Sequence, residues 1–340
     1  MTVLLDCINK KSDTNCIWLM RQAGRYLPEF RKIRSKNQDF IKLCLNENLS
    51  SEITVQPLRR FEIDAAIIFS DILLVPYALG QTVSFNKNFG PLLGKLDLNK
   101  ITLTNESDFI KKLNPVYKSI KITKEKDELK NKDLIGFVGA PWTILVYMLN
   151  KKSPKNNDIK NYLNTNDKSL DNLLKIIIKF LKVHIDNQIK NGATIIQVFD
   201  SWAGLLNEKD YEKYIYNPSK ELVDFIKSKH VPAICFPRGI NNYKKYVNIV
   251  NPDVISIDYN VNPKDISESI DITVQGGLNP NFLLGSKEEL ERNVKKYLDF
   301  FKNKPYIFNL GHGVLPNTDP NMVEYLIKIV RKFNDRASKN

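Results

Sequence analysis

Between residues 64 and 309 the chain repeats one unit: a short apolar run, a small or polar break, then a stretch with helical periodicity. The apolar runs are Asp64–Asp71, Asp133–Gly139, Thr194–Asp200, Val231–Phe236, Val254–Asp258, Ile272–Gly276 and Tyr306–Asn309. They are continuous rather than alternating, as strands buried on both faces must be. Between them, Ser169–Lys190 places Leu170, Leu173, Leu174, Ile177 and Leu181 on one helical face and stops at Asn191-Gly192. Trp142–Leu149 begins a helix after Pro141, and Pro218–Lys229 is a helix with proline in its first turn. Tyr243–Val250 is a further helix. Ser286-Lys-Glu-Glu289 is a capping box opening a helix to Phe301, and Asp319-Pro320 opens a closing helix that runs to Phe333. Strands alternating with helices at this spacing demand a parallel sheet. About eight such units, with no G-x-G-x-x-G after the first run, predict a closed (β/α)8 barrel with an N-terminal extension rather than a dinucleotide-binding fold. Before the repeat, Glu47–Phe61 is predicted helical, and Val83–Leu96, with Gly90-Pro91 and Gly94, is a hairpin-like excursion. The second barrel strand falls by order within 104–132, a polar and mainly helical stretch in which no strand pattern stands out. No Gly-, Ser- or Pro-rich linker divides the chain, so residues 1–340 read as one domain.

Cys7, Cys16, Cys44 and Cys235 form no CxxC pair and no metal-finger spacing, which points to a reducing compartment. Cys235 has Ala233 two residues before it rather than histidine, and no HExxH occurs, so no metal is expected. The opening Met1–Asp6 is too short an apolar run for a signal peptide, and no apolar stretch is long enough to cross a bilayer. A soluble, cytoplasmic protein with no membrane partner is expected. The formal charge of +13 comes from lysines scattered among Asn and Ile rather than gathered in a stripe. That pattern argues against nucleic-acid binding and leaves a modest attraction for anionic small molecules.

Against this background Trp18-Leu-Met-Arg-Gln-Ala-Gly-Arg-Tyr-Leu-Pro-Glu-Phe-Arg31 stands apart. It interleaves buriable aromatics with Arg21, Arg25 and Arg31, and Gly24 disfavours a helix that would align Arg21 with Arg25. A loop of this kind suits carboxylate or phosphate binding, because a guanidinium fork engages two oxygens at once. A solvated basic surface loop is the competing interpretation. In a (β/α)8 barrel the site lies at the C-terminal strand ends. Here those ends are Ser70-Asp71, Gly139-Ala-Pro-Trp142, Asp200-Ser-Trp202, Pro237-Arg-Gly239, Asp258-Tyr259, Gly276-Gly-Leu-Asn279 and Gly311-His-Gly313. Asp71 and Ser201 are each either site residues or helix caps. Tyr147 is either ligand or core. His312, between two glycines, has little packing to explain it, whereas His184 and His230 are assigned structural places.

Together these segments resemble the uroporphyrinogen decarboxylase family. The arginine stretch looks like the family's first signature and Gly136-Phe-Val-Gly-Ala-Pro-Trp-Thr143 like its second. Phe69-Ser-Asp-Ile72, Phe199-Asp-Ser-Trp202, Gln275-Gly-Gly-Leu-Asn279 and Asn309-Leu-Gly-His-Gly313 follow in the same order. Tyr259 stands where relatives often have Trp and Arg238 where many have Lys; neither departure is expected to touch the central chemistry. The resemblance implies a (β/α)8 homodimer, a carboxy-lyase acting without cofactor on a tetrapyrrole with eight carboxylates in haem biosynthesis. It implies catalytic roles for Asp71 and Arg21. Substrate contacts would come from Arg21, Gln22, Ala23, Gly24, Arg25, Asp71, Tyr147, Ser201 and His312. A corrinoid-linked methyltransferase of the same superfamily would need a zinc site, and Ala233-Ile-Cys235 lacks the histidine for it.

Overall fold

The computed structural model describes residues 2–9, 15–86, 90–154 and 168–337. The strands are β1 (Cys16–Ile17), β2 (Ala65–Ile67), β3 (Val83–Asn86), β4 (Gly90–Leu93), β5 (Asp133–Gly139), β6 (Ile195–Asp200), β7 (Ala233–Pro237), β8 (Val254–Ile257), β9 (Thr273–Gly276) and β10 (Tyr306–Phe308). Eight of them form one parallel sheet in the order β1-β10-β9-β8-β7-β6-β5-β2. The remaining seam, between β1 and β2, closes through the Asp64 amide donating to the Ile17 carbonyl at 2.9 Å. The Asp64 carboxylate accepts from the Ile17 amide at 2.7 Å in return. That closure converts an open sheet into the expected (β/α)8 barrel.

Strand alternation sorts the core into two compartments. Ala65, Ile67, Ile135, Ile195, Ile234, Val254 and Ile307 point into the barrel with Trp18 and Met20. Ala66, Leu134, Ile196, Val198, Cys235, Ile255 and Phe308 point outward beneath the helical layer. The helix Lys168–Lys190 supplies Leu170, Leu173, Leu174, Ile177 and Leu181 to that outer layer, all buried. Each such side chain contributes roughly 1.5–3 kcal/mol of burial. Gly192, at φ +115°, ends it as anticipated. Ser286 caps Lys287–Phe300, its hydroxyl accepting from the Glu289 amide at 3.2 Å. The excursion at 83–96 is the antiparallel pair β3–β4, whose tip at 87–89 lies outside the described residues.

One expectation is corrected. Residues 104–132 contain the helix Glu106–Lys124 and a 3-10 turn at Asp127–Leu129, and no strand among them. Asp64–Asp71 supplies the second barrel strand, and the first is β1, two residues long. So short a strand has no periodicity to display. The consequence is functional. The arginine stretch is not an appendage before the barrel but the loop leaving the C-terminal end of its first strand. The N-terminal extension proper is the helix Val3–Ile8, whose Leu4, Cys7 and Ile8 plug the other end of the barrel.

Candidate active site

The arginine loop is held from below and behind. The Met20 amide donates to Asn309 Oδ1 at 2.9 Å, and the Val314 amide to the Met20 carbonyl at 2.9 Å. The Gln22 amide closes a turn onto the Leu19 carbonyl at 2.9 Å, placing Arg21 third in that turn at φ +58°. Turns of this shape favour glycine, and an L side chain there costs about 1 kcal/mol or more. The Arg21 chain crosses directly over Gly313, where a Cβ would stand 2.4 Å from Arg21 Cδ. Gln22 itself is buried: its Oε1 accepts from the Leu19 amide at 3.1 Å and its Nε2 donates to the Ala65 carbonyl at 3.1 Å. Its side chain therefore ties the loop to β2 instead of facing the mouth. Ala23 and Gly24 follow as half-buried backbone, and Arg25 is exposed. Arg31 lies in the helix Pro28–Lys36 and donates to the carbonyls of Arg25 and Tyr26 at 2.9 and 2.8 Å. It braces the loop.

Asp71 follows β2, whose continuation is set by buried hydroxyls of the helix Glu47–Arg60. The Phe69 amide donates to Thr54 Oγ1 at 2.9 Å, and Ser50 Oγ donates to the Phe69 carbonyl at 2.6 Å. One carboxylate oxygen of Asp71 accepts from the Leu73 amide at 2.8 Å. The group is therefore a local cap, yet it also lies within electrostatic reach of Arg21 and Tyr147. Burial raises the Asp71 pKa to about 6, with the Leu73 amide and Arg21 pulling it down. It is ionised at neutral pH but held there at a cost. Arg21 is open to water while walled in by protein, and that enclosure lowers its pKa, with Asp71 and Tyr147 opposing and Arg25 and Arg238 adding to the fall.

Tyr147 is half-buried on the helix Pro141–Asn150, its ring 5.9 Å from that of Trp202. Burial raises its phenol. Ser201 is half-buried beside Trp202, where the Trp202 amide donates to Thr143 Oγ1 at 3.2 Å and Thr143 in turn donates to Asp200 at 2.6 Å. Asp200 is buried, and its pKa is raised to about 7 by burial. His312 is half-buried, and burial lowers its pKa to about 4, with Arg21 and Arg238 adding to the effect. A neutral imidazole results, able to donate one hydrogen bond. His184 lies in the outer layer with Nδ1 3.1 Å from the Tyr117 hydroxyl, and His230 is exposed at φ +58° beyond the helix Asn217–Ser228.

The floor of the mouth is apolar. Phe137 and Phe199 sit on the inward register of β5 and β6, centroids 5.6 Å apart, with Phe236 of β7 6.4 Å from Phe199. The sequence placed Arg238 at a strand end but gave it no substrate role, and it gave the rings none either, although strand alternation alone predicts that Phe137 and Phe199 share a face with Ile135 and Ile195. Below them Trp18 Nε1 donates to Gln275 at 2.9 Å, and Gln275 reaches Ser256 at 3.1 Å. Among the described residues no three His, Cys, Asp or Glu side chains stand together as a metal site would require, and Cys235 is buried against Tyr246 with its thiol pushed up to about 12 by burial. No described helix is long and apolar enough to cross a membrane. A groove of about 850 Å³ is lined by Lys100, Leu103, Asp108 and Lys112, none of them a residue of the mouth described above.

The fold is that of (β/α)8-barrel enzymes, and the candidate site at the C-terminal strand ends sets Arg21, Arg25, Arg238 and Asp71 about an apolar floor. The uroporphyrinogen decarboxylase (URO-D) family model matches residues 3–333. A uroporphyrinogen decarboxylase of Rickettsia bellii is 40% identical over 98% of this chain and 99% of its own length. One of Orientia tsutsugamushi is 41% identical over 94% of each. The chain belongs to the uroporphyrinogen decarboxylase family. Among solved structures, a methyltransferase from Methanosarcina mazei superposes with TM-score 0.78 at 15% identity over 97% of each chain, a likeness of fold.

Proposed function

We propose that this chain decarboxylates the four acetate side chains of uroporphyrinogen III to methyls, giving coproporphyrinogen III, without a cofactor. The observation that carries this is Asp71: a carboxylate at the strand ends, ionised at neutral pH despite its enclosure, within electrostatic reach of Arg21 and Tyr147. A pyrrole acetate cannot lose CO2 directly, since the electron pair has nowhere to go. Protonation of the ring carbon beside the acetate-bearing carbon creates an iminium. The C–C bond to the carboxylate then breaks, its pair neutralises the ring nitrogen, and an exocyclic methylene forms. Protonation of that methylene and loss of the ring-carbon proton leave a methyl. The net change replaces CO2 by one proton.

In this scheme Asp71 accepts the pyrrole N–H groups and stabilises the ring while it is cationic, a charge stabilisation present mainly in the transition state. Arg21, or a water that it orders, delivers the proton. A guanidinium is ordinarily a very weak acid, and the enclosure of Arg21 lowers its pKa, the useful direction. Arg21 and Arg25 hold acetate or propionate carboxylates, with Tyr147, Ser201, His312 and the backbone of Gln22, Ala23 and Gly24 completing the contact. The phenylalanine floor receives the apolar macrocycle. Residues 1–340 act as one domain, and by family resemblance the protein works as a homodimer in the cytoplasm.

The test is anaerobic incubation with uroporphyrinogen, followed by chromatography of the oxidised products. Successive loss of four carboxyls, unaffected by EDTA, is expected. Unchanged substrate, or activity that EDTA removes and zinc restores, overturns the reading. Sedimentation as a monomer at working concentration would remove the dimer.

A further inference from the structure

The ring of barrel strands runs β1, β2, β5, β6, β7, β8, β9, β10, so β7 stands directly across from β1. Arg238 follows the last residue of β7 and therefore enters the mouth from the wall opposite the arginine loop. Its backbone is pinned on several sides. The Arg238 amide donates to the carbonyls of Asp200 and Phe236 at 3.1 Å each, and its carbonyl accepts from the Gly204 amide at 3.0 Å. Next to it, the Gly239 amide donates to Asp258 Oδ2 at 2.8 Å. Gly204 and Gly239 pack so closely that a Cβ on Gly204 would lie 2.4 Å from the Gly239 carbonyl oxygen.

The side chain is treated differently. It is half-buried, and among the described residues no carboxylate pairs with its guanidinium. Asp258, the acidic residue beside it in the rim, already accepts from the Gly239 amide, the Tyr243 hydroxyl and the Asn260 amide. Arg238 is nevertheless close enough to Arg21 and His312 to bear on the charge of both. A cation on an anchored backbone, with no carboxylate partner among the described residues and on the wall opposite Arg21, has the arrangement of half an anion clamp. A ligand whose carboxylates lie on one edge only would leave Arg238 idle. A macrocycle with carboxylates around its whole circumference would meet cations on both walls.

We infer that Arg238 is a substrate-binding residue, gripping a carboxylate on the edge of the macrocycle opposite the one held by Arg21 and Arg25. This rests on the polycarboxylate tetrapyrrole reading given above. Its role is positioning: by fixing the far edge it holds the reacting pyrrole over Asp71, and it specifies ligands that carry carboxylates on both edges.

The test compares Arg238→Gln and Arg238→Lys with the native enzyme, using uroporphyrinogen as the probe and thermal melting as the control. Arg238→Gln should raise KM about tenfold or more, the share of one charge-assisted contact, with kcat less affected and Tm unchanged. Arg238→Lys, which keeps the charge and loses the fork, should recover most of the loss. An unchanged KM in Arg238→Gln overturns the assignment while leaving the decarboxylase reading intact. A raised KM that Lys does not rescue, together with a lowered Tm, marks a residue of the framework and also overturns it. If the native protein does not convert uroporphyrinogen at all, the functional reading fails first and takes this inference with it.

Discussion

The two ends of the barrel obey opposite rules. At the N-terminal end every named carboxylate has its partners. Asp64 accepts from the Ile17 amide at 2.7 Å and pairs with Arg331 at 2.7 Å. Asp133 accepts from the hydroxyls of Thr2 and Thr194. Asp253 accepts from the Ala233 amide at 2.9 Å and lies 3.4 Å from Lys227. The helix Val3–Ile8 seals that end with apolar side chains. At the C-terminal end Arg21, Arg25 and Arg238 have no ion-pair partner among the described residues, Arg21 holds a left-handed backbone, and Asp71 is raised to about 6. One end is closed because its polar groups are matched. The other is left mismatched, and a polyanionic ligand would complete it.

The comparison breaks hardest at Asp71. Asp71→Asn keeps the bond to the Leu73 amide, because asparagine caps as well as aspartate. It removes the charge that would stabilise a protonated pyrrole, worth on the order of 3 kcal/mol, so turnover should fall about a hundredfold. The same change should stabilise the fold. A carboxyl whose pKa is raised from 3.8 to about 6 by burial destabilises the native state once ionised. The gain should therefore be present above pH 6, on the order of 1–3 kcal/mol, and fade as pH falls towards 4. Near-native turnover in Asp71→Asn would reduce Asp71 to a cap.

Asp64→Ala is the mirror experiment. It should cost roughly 2–3 kcal/mol of stability, by opening the β1–β2 seam and leaving Arg331 unpaired, with KM little changed. A large loss of activity at unchanged stability would undo the division between the ends. Gly313→Ala tests the mouth again without touching a charge. A Cβ 2.4 Å from Arg21 Cδ must displace that side chain, and a loss of about tenfold in kcat/KM is expected at near-native Tm.

A pH profile sharpens the picture further. If ionised Asp71 is required, kcat/KM should fall on the acid side with an apparent pKa near 6, the value burial gives it. Because Arg21 pulls that pKa down, Arg21→Gln should move the limb upward, and a limb that stays in place removes Asp71 as its source. The smallest contrast lies within the loop itself. Arg25→Ala should weaken substrate binding about tenfold, and Arg31→Ala much less, since Arg31 only donates to the Arg25 and Tyr26 carbonyls. Equal effects would show that both act through loop shape.

Much of this protein was legible in its sequence. Continuous apolar runs spaced by amphipathic helices specify a parallel barrel, because only a strand covered on both faces needs that pattern. Capping at Ser286 and termination at Gly192 were readable because they depend on neighbours a few residues away. The peptides that make the rim could be listed from the ends of the runs. What sequence could not supply was anything decided across the barrel. The first strand is two residues long and exists only because β10 and Asp64 flank it. Gln22, which looks like part of the binding loop, turns inward to the Ala65 carbonyl, a contact spanning 43 positions. The sequence places Arg238 at a strand end, but that it stands across the mouth from Arg21 follows only from β7 facing β1. Local pattern is set by short-range sterics and burial, which a sequence displays directly; the meeting of Arg21, Asp71, His312 and Arg238 is set by the order in which eight strands close, and only the tertiary structure decides that.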